Sequence, residues 1–139
     1  MDDGSAEPRK AAGNETLESD DVSAPMQIVS GTISVATLAR MAEARFGELV
    51  KAVVDIERGL MVVDADMHAD EEALLLETGS RQVNLWGINL HPGDFGTPGF
   101  VEFDSVINIR PRQGNRSRSV EEPQVRAAIV ALVSRLVKR

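Results

Sequence analysis

Apolar residues recur along the chain with two different periods, and the switches between them mark the elements. Val35, Leu38, Met41, Ala42 and Phe46 follow helical spacing behind Ser34, which suits a helix cap, and Gly47 supplies the stop. Ile28 and Val29 precede them as a short edge strand. Val50 to Ile56 is rich in β-branched residues and places Val50, Ala52, Val54 and Ile56 on one face, which predicts a strand. Glu57, Arg58 and Gly59 form a hairpin loop into a second strand, Leu60 to Val63. Ala73 to Leu76 reads as a further strand turning at Thr78, Gly79 and Ser80; a short helix over Asp70 to Leu76 is the alternative, because acids suit a first helical turn. Leu85 to Leu90 is a strand, and Phe100 to Arg110 is predicted as the longest. There Phe103, Ser105, Ile107 and Ile109 lie on one face, and Glu102, Asp104, Val106, Asn108 and Arg110 on the other. Pro123 opens a last helix with Val125, Ile129, Leu132, Val133 and Leu136 on one stripe. The order predicts an α+β fold: a mostly antiparallel sheet of about five strands, with an N-terminal and a C-terminal helix packed on one face.

The 139 residues suit one domain, and the net charge of -7 is spread unevenly. Residues 1 to 26 hold seven acids against Arg9 and Lys10, so they contribute -5 and leave -2 for the rest. With no aromatic residue and little apolar surface to offset the cost of ordering, residues 1–25 are expected to form a disordered acidic tail, and 26–139 a single domain. The absence of cysteine removes disulfides and thiolate chemistry and makes a reducing cytoplasm the default. No apolar run approaches the roughly 18 residues of a membrane span, so no membrane partner is expected.

Against this acidity stands a basic loop: Arg110, Arg112, Arg116 and Arg118 fall within nine residues. Pro111 ends regular pairing, while Gly114 and Asn115 tolerate left-handed backbone, so the loop should turn sharply and gather its guanidinium groups. Either an anion binds there, with Gln113 and Asn115 as hydrogen-bond partners, or Glu121 and Glu122 neutralise the cluster internally. A second constellation is Asp64, Asp66, His68, Asp70, Glu71 and Glu72. On an extended chain alternate residues would share a face and could hold Mg²⁺, Mn²⁺ or Zn²⁺, although zinc spacings are absent. His68, Asp70 and Glu71 are the catalytic candidates, as base or metal ligands. Asp55, Asn89 and Asn108 interrupt apolar strands and need partners if buried; a network with Arg81, Gln82 and Arg110 would supply them. Trp86 is a core residue or an interface anchor.

His68-Ala-Asp-Glu-Glu72, Gly79-Ser-Arg-Gln82, Leu85 through Pro92 and Ile107 through Ser117 together resemble a family of short prokaryotic proteins classed as a domain of unknown function. The resemblance covers roughly residues 26 to 138 and implies no activity. Asp64 and Asp66 stand where members of that family are glycine-rich, which weakens a metal site built on those two. Two classes of function remain open. One is a binding module that takes an anionic small molecule, an acidic protein or RNA on the loop 110–118. The alternative is a metal-dependent phosphodiester or phosphoryl hydrolase, resembling a toxin-like ribonuclease, in which segment 64–72 meets the arginine loop. No cofactor is specified, and a homodimer joined through these opposite charges is a further expectation.

Overall fold

The structure, a computed structural model, describes residues 26–139, and the expected acidic tail 1–25 lies outside the described residues. In chain order the elements are β1 (Gln27–Val29), β2 (Ile33–Ser34), α1 (Val35–Arg45), β3 (Val50–Asp55), β4 (Leu60–Val63) and α2 (His68–Glu77). They continue with β5 (Leu85–Leu90), β6 (Val101–Glu102), α3 (Pro123–Leu136) and β7 (Val137–Lys138). Five strands form an antiparallel sheet in the order β1-β4-β3-β5-β6. β2 and β7 pair in parallel and tie the start of α1 to the end of α3.

Local chemistry sets the boundaries. The Ser34 hydroxyl accepts the Thr37 N–H at 3.0 Å and caps α1, and Gly47, at φ +92, closes it. The β3–β4 hairpin turns at Gly59, φ +71, and is braced by the buried Asp55 carboxylate. That group accepts the N–H groups of Glu57 and Arg58, each at 2.9 Å, and the Ser80 hydroxyl at 2.6 Å. The period-two alternation then sorts the core. Val50, Ala52 and Val54 join Met61, Val63, Trp86, Ile88 and Leu90 in one cluster, with Leu38 and Ala42 of α1 and Ile129, Leu132, Val133 and Leu136 of α3. Val53, Val62 and Leu85, which point the other way, form a second cluster with Leu75 of α2. Among the described residues no helix is long and apolar enough to cross a membrane.

Two expectations need correction. Ala73 to Leu76 is not a strand but the second half of α2, so a third helix packs against the sheet residues that α1 and α3 leave uncovered. The reason is local: leucines and alanine favour a helix, and the exposed Asp70 sits in its first turn, at the positive end of its dipole. Phe100 to Arg110 is not a long strand either, since pairing ends after Glu102. Ser105 diverts the chain. Its hydroxyl accepts the Ile107 N–H and its carbonyl accepts the Asn108 N–H, which winds Val106–Asn108 into a 3-10 turn.

On its outer edge β5 is therefore left without a strand neighbour from Leu85 to Ile88, and a side chain takes that place. The Asn108 amide accepts the Gly87 N–H and donates to the Gly87 carbonyl, both at 2.9 Å, as a paired strand residue would. The approach is close enough that a Cβ on Gly87 would lie 2.6 Å from the Cβ and Oγ of buried Ser105. Gly87→Ala is predicted to destabilise the fold by about 1–3 kcal/mol, the usual cost of overpacking. Gly93→Ala, where a Cβ meets nothing within 4 Å, should leave the denaturation midpoint within error of wild type.

Candidate functional site: the arginine clasp

The basic loop begins where Asn108 leaves β5. Pro111–Gln113 makes one 3-10 turn, Gly114 takes φ +84, and Arg110 and Asn115 pair across it. Asn115 is buried and holds the loop from inside. Its amide donates to the carbonyls of Asn108 (2.8 Å), Ser117 (3.1 Å) and Ser119 (2.6 Å), and its oxygen accepts the Glu121 N–H at 2.8 Å. Arg110 reaches back along the sheet edge to donate to the carbonyls of Gln82, at 2.6 Å, and Leu85, and lies 4.2 Å above the Trp86 ring. Burial lowers its pKa, without removing its charge. Gln113 donates to the Val83 carbonyl at 2.9 Å. Arg118 pairs with Asp104 at 2.6 Å, which holds the Asp104 carboxyl below its ordinary range.

Internal partners thus engage Arg110, Gln113, Asn115 and Arg118. The two acids proposed as neutralising groups make their hydrogen bonds to the backbone: Glu121 accepts the N–H groups of Arg116 and Ser117 at 2.9 and 2.8 Å, with a weaker Coulombic attraction to the Arg116 charge, and Glu122 caps α3. Hydrogen bonding from Ser117 and Arg116 depresses the Glu121 pKa. The guanidinium groups of Arg112 and Arg116 are exposed and make no ion pair or hydrogen bond with any described residue. Arg81, expected in a buried network, is likewise exposed and unpaired among the described residues, next to the Gln82 carbonyl that Arg110 grips. The segments that build the clasp also carry three exposed aliphatic residues, Val83, Val106 and Ile109, at 42%, 63% and 43% exposure. Sequence reading missed this apolar component. Its one signal was Val106, which fell among polar residues in the alternation.

Segment 64–72 is arranged quite differently from a shared metal face. Asp64 and Asp66 each accept from Arg45 at 2.8 Å, and no group of three or more metal-ligating side chains occurs among the described residues. Asp64 sits at φ +75, in the left-handed region that favours glycine. His68 is buried and its Nε2–H donates to the Ile88 carbonyl at 2.7 Å, while burial lowers its pKa, so it is a neutral imidazole in the folded chain. Asp70 lies on the exposed side of α2, away from that imidazole's hydrogen bond. Glu71 is fully buried; one oxygen accepts the Ala65 N–H at 3.2 Å and the other has no partner. Asn89 and His91 belong to another group, both bonded to the Glu102 carboxylate.

Burial pushes Glu71 from 4.5 up to about 10, so it is a neutral acid at pH 7. Because the folded chain binds this proton more tightly than the unfolded one, the stabilisation is complete below pH 4.5 and is lost as pH rises toward 10. His68, buried neutral, acts in the opposite sense, and only as pH falls below its ordinary 6.5. Thermal melts between about pH 7 and pH 9 isolate the carboxyl. Wild type should lose Tm steadily across that window, while Glu71→Gln should flatten the slope and melt higher at the alkaline end. Parallel curves would show that Glu71 does not hold the proton.

No curated protein and no solved structure matches the chain. Residues 27–136, which include the five-stranded sheet, the clasp and all of α3, match the family described as protein of unknown function, DUF5674. The chain belongs to that family.

Proposed function

We propose that this domain is a binding module that docks an acidic partner protein on the outer face of the arginine clasp. One observation carries the proposal: the loop engages Arg110, Gln113, Asn115 and Arg118 with partners in the chain and leaves the exposed guanidinium groups of Arg112 and Arg116 without an ion pair or hydrogen bond to any described residue, on a fixed scaffold. A loop already ordered loses little further entropy on binding, and guanidinium groups suit carboxylates because they can donate two parallel hydrogen bonds. Arg81 adds a third exposed cation, one residue before the Gln82 carbonyl that Arg110 grips. The exposed Val83, Val106 and Ile109 in the segments of the clasp favour a polypeptide whose acids are interleaved with apolar residues. RNA is the weaker match, since single-stranded nucleic acid is held by stacking on aromatic side chains and the exposed residues here are aliphatic.

Binding of a peptide of alternating Glu and Leu, measured by fluorescence anisotropy, tests this. The expected outcome is salt-sensitive binding that Arg112→Ala with Arg116→Ala weakens by about threefold to tenfold, with an unchanged melting temperature. Equal affinity in the double variant, or tighter binding of a uridine homopolymer than of the peptide, would contradict the proposal.

A further inference from the structure

A second face of the molecule carries a different kind of site. α3 turns its core stripe toward the sheet, yet Ala127, Val130, Ala131 and Ser134 line an open groove of about 890 Å³. The facing wall is the segment from Phe95 to Phe103, where the Phe95 and Phe100 rings meet edge to face at 5.1 Å. Val130 is 45% exposed, although helix interiors that face solvent normally carry polar residues. The volume lies within the range of about 300–1,000 Å³ typical of small-molecule sites.

The charges beside this groove are what select its occupant. Arg126 lies 5.0 Å from the centre of the Phe103 ring, and Arg139 lies 5.0 Å from the centre of the Phe95 ring. Neither guanidinium makes an ion pair or hydrogen bond with a described residue. Stacking on a ring restrains each group while leaving its N–H edges available, so both are set to receive an anion at low ordering cost. No carboxylate lines the groove. We infer that the groove binds a small amphipathic anion, its hydrocarbon tail against Phe95, Phe100 and Val130 and its carboxylate or phosphate head group against Arg126, which lines the groove at the start of α3. A neutral tail alone would bury apolar surface but leave Arg126 unanswered; a cationic amphiphile would meet repulsion from it.

Titration calorimetry of the full chain with four ten-carbon probes, kept below their micelle concentrations, separates the outcomes. Decanoate and decyl phosphate share the head-group chemistry, and the tighter of the two identifies its source; decanol and decylamine are the controls. The expected result is saturable binding of at least one anion, about tenfold tighter than decanol, with decylamine weaker still. Arg126→Gln should reduce the anion's affinity by about tenfold and leave decanol unchanged. Val130→Asp, at an exposed position, should abolish anion binding without lowering the melting temperature. Equal binding of decanoate and decylamine, undiminished binding in the folded Val130→Asp variant, or no binding of either anion would overturn the inference. So would a wild-type dimer in sedimentation that Val130→Asp converts to monomer, because the groove would then be an interface between copies.

Discussion

Much of this fold depends on the amide of Asn108, which finishes the open edge of β5 without adding a strand. A sheet edge left bare exposes unpaired N–H and C=O groups, and burying such groups unpaired costs about 1–3 kcal/mol each. Asn108 satisfies both groups of Gly87 and donates a further hydrogen bond to the Arg118 carbonyl at 2.9 Å, so one side chain binds the sheet to the far end of the basic loop. Arg110 continues the same task at the Leu85 and Gln82 carbonyls, and Gln113 at Val83. The clasp is a row of polar side chains standing where strand backbone would otherwise run.

That substitution explains how the loop can be both structural and exposed. The residues that face the sheet edge are consumed by carbonyls, and Asn115 anchors the loop's inner side by sharing its two amide N–H groups among three carbonyls and accepting one hydrogen bond. What projects outward is then fixed by the same geometry. The arrangement has a cost: the Arg110 Nε and the Trp86 Nε1 are buried without partners, and stacking of the guanidinium over the indole offsets part of it. Glu71 is a comparable case on the α2 side, a carboxylic acid kept neutral by burial with one oxygen unpaired.

The elements decided by period were legible in the chain. α1, the β3–β4 hairpin, β5 and α3 each follow from apolar spacing with a cap or turn residue at the boundary, as Ser34, Gly59 and Pro123 illustrate. Where polar side chains compete with the backbone, alternation misled. Asn108 and Ser105 fit a strand by spacing, but their side chains make the hydrogen bonds that a strand would have made, and the chain folds into turns. The site was legible in part for the same reason. Four arginines in nine residues announce a basic loop, yet whether each meets a carbonyl, a carboxylate or water depends on Gln82, Leu85 and Asp104, none of them adjacent in sequence. The acidic segment 64–72 could not be read by alternation at all, because half of it is helix and Asp64 and Asp66 are held by Arg45 from α1.

Native-state hydrogen exchange at the Gly87 amide, compared with its sheet partner Val53, tests the role of Asn108 directly. In wild type both amides should be protected. In Asn108→Ala, under conditions where the variant stays folded, Gly87 should lose at least about tenfold more protection than Val53, since one has lost its acceptor and the other has not. If the two amides lose protection in parallel, Asn108 contributes only to global stability and the edge of β5 is held by something else.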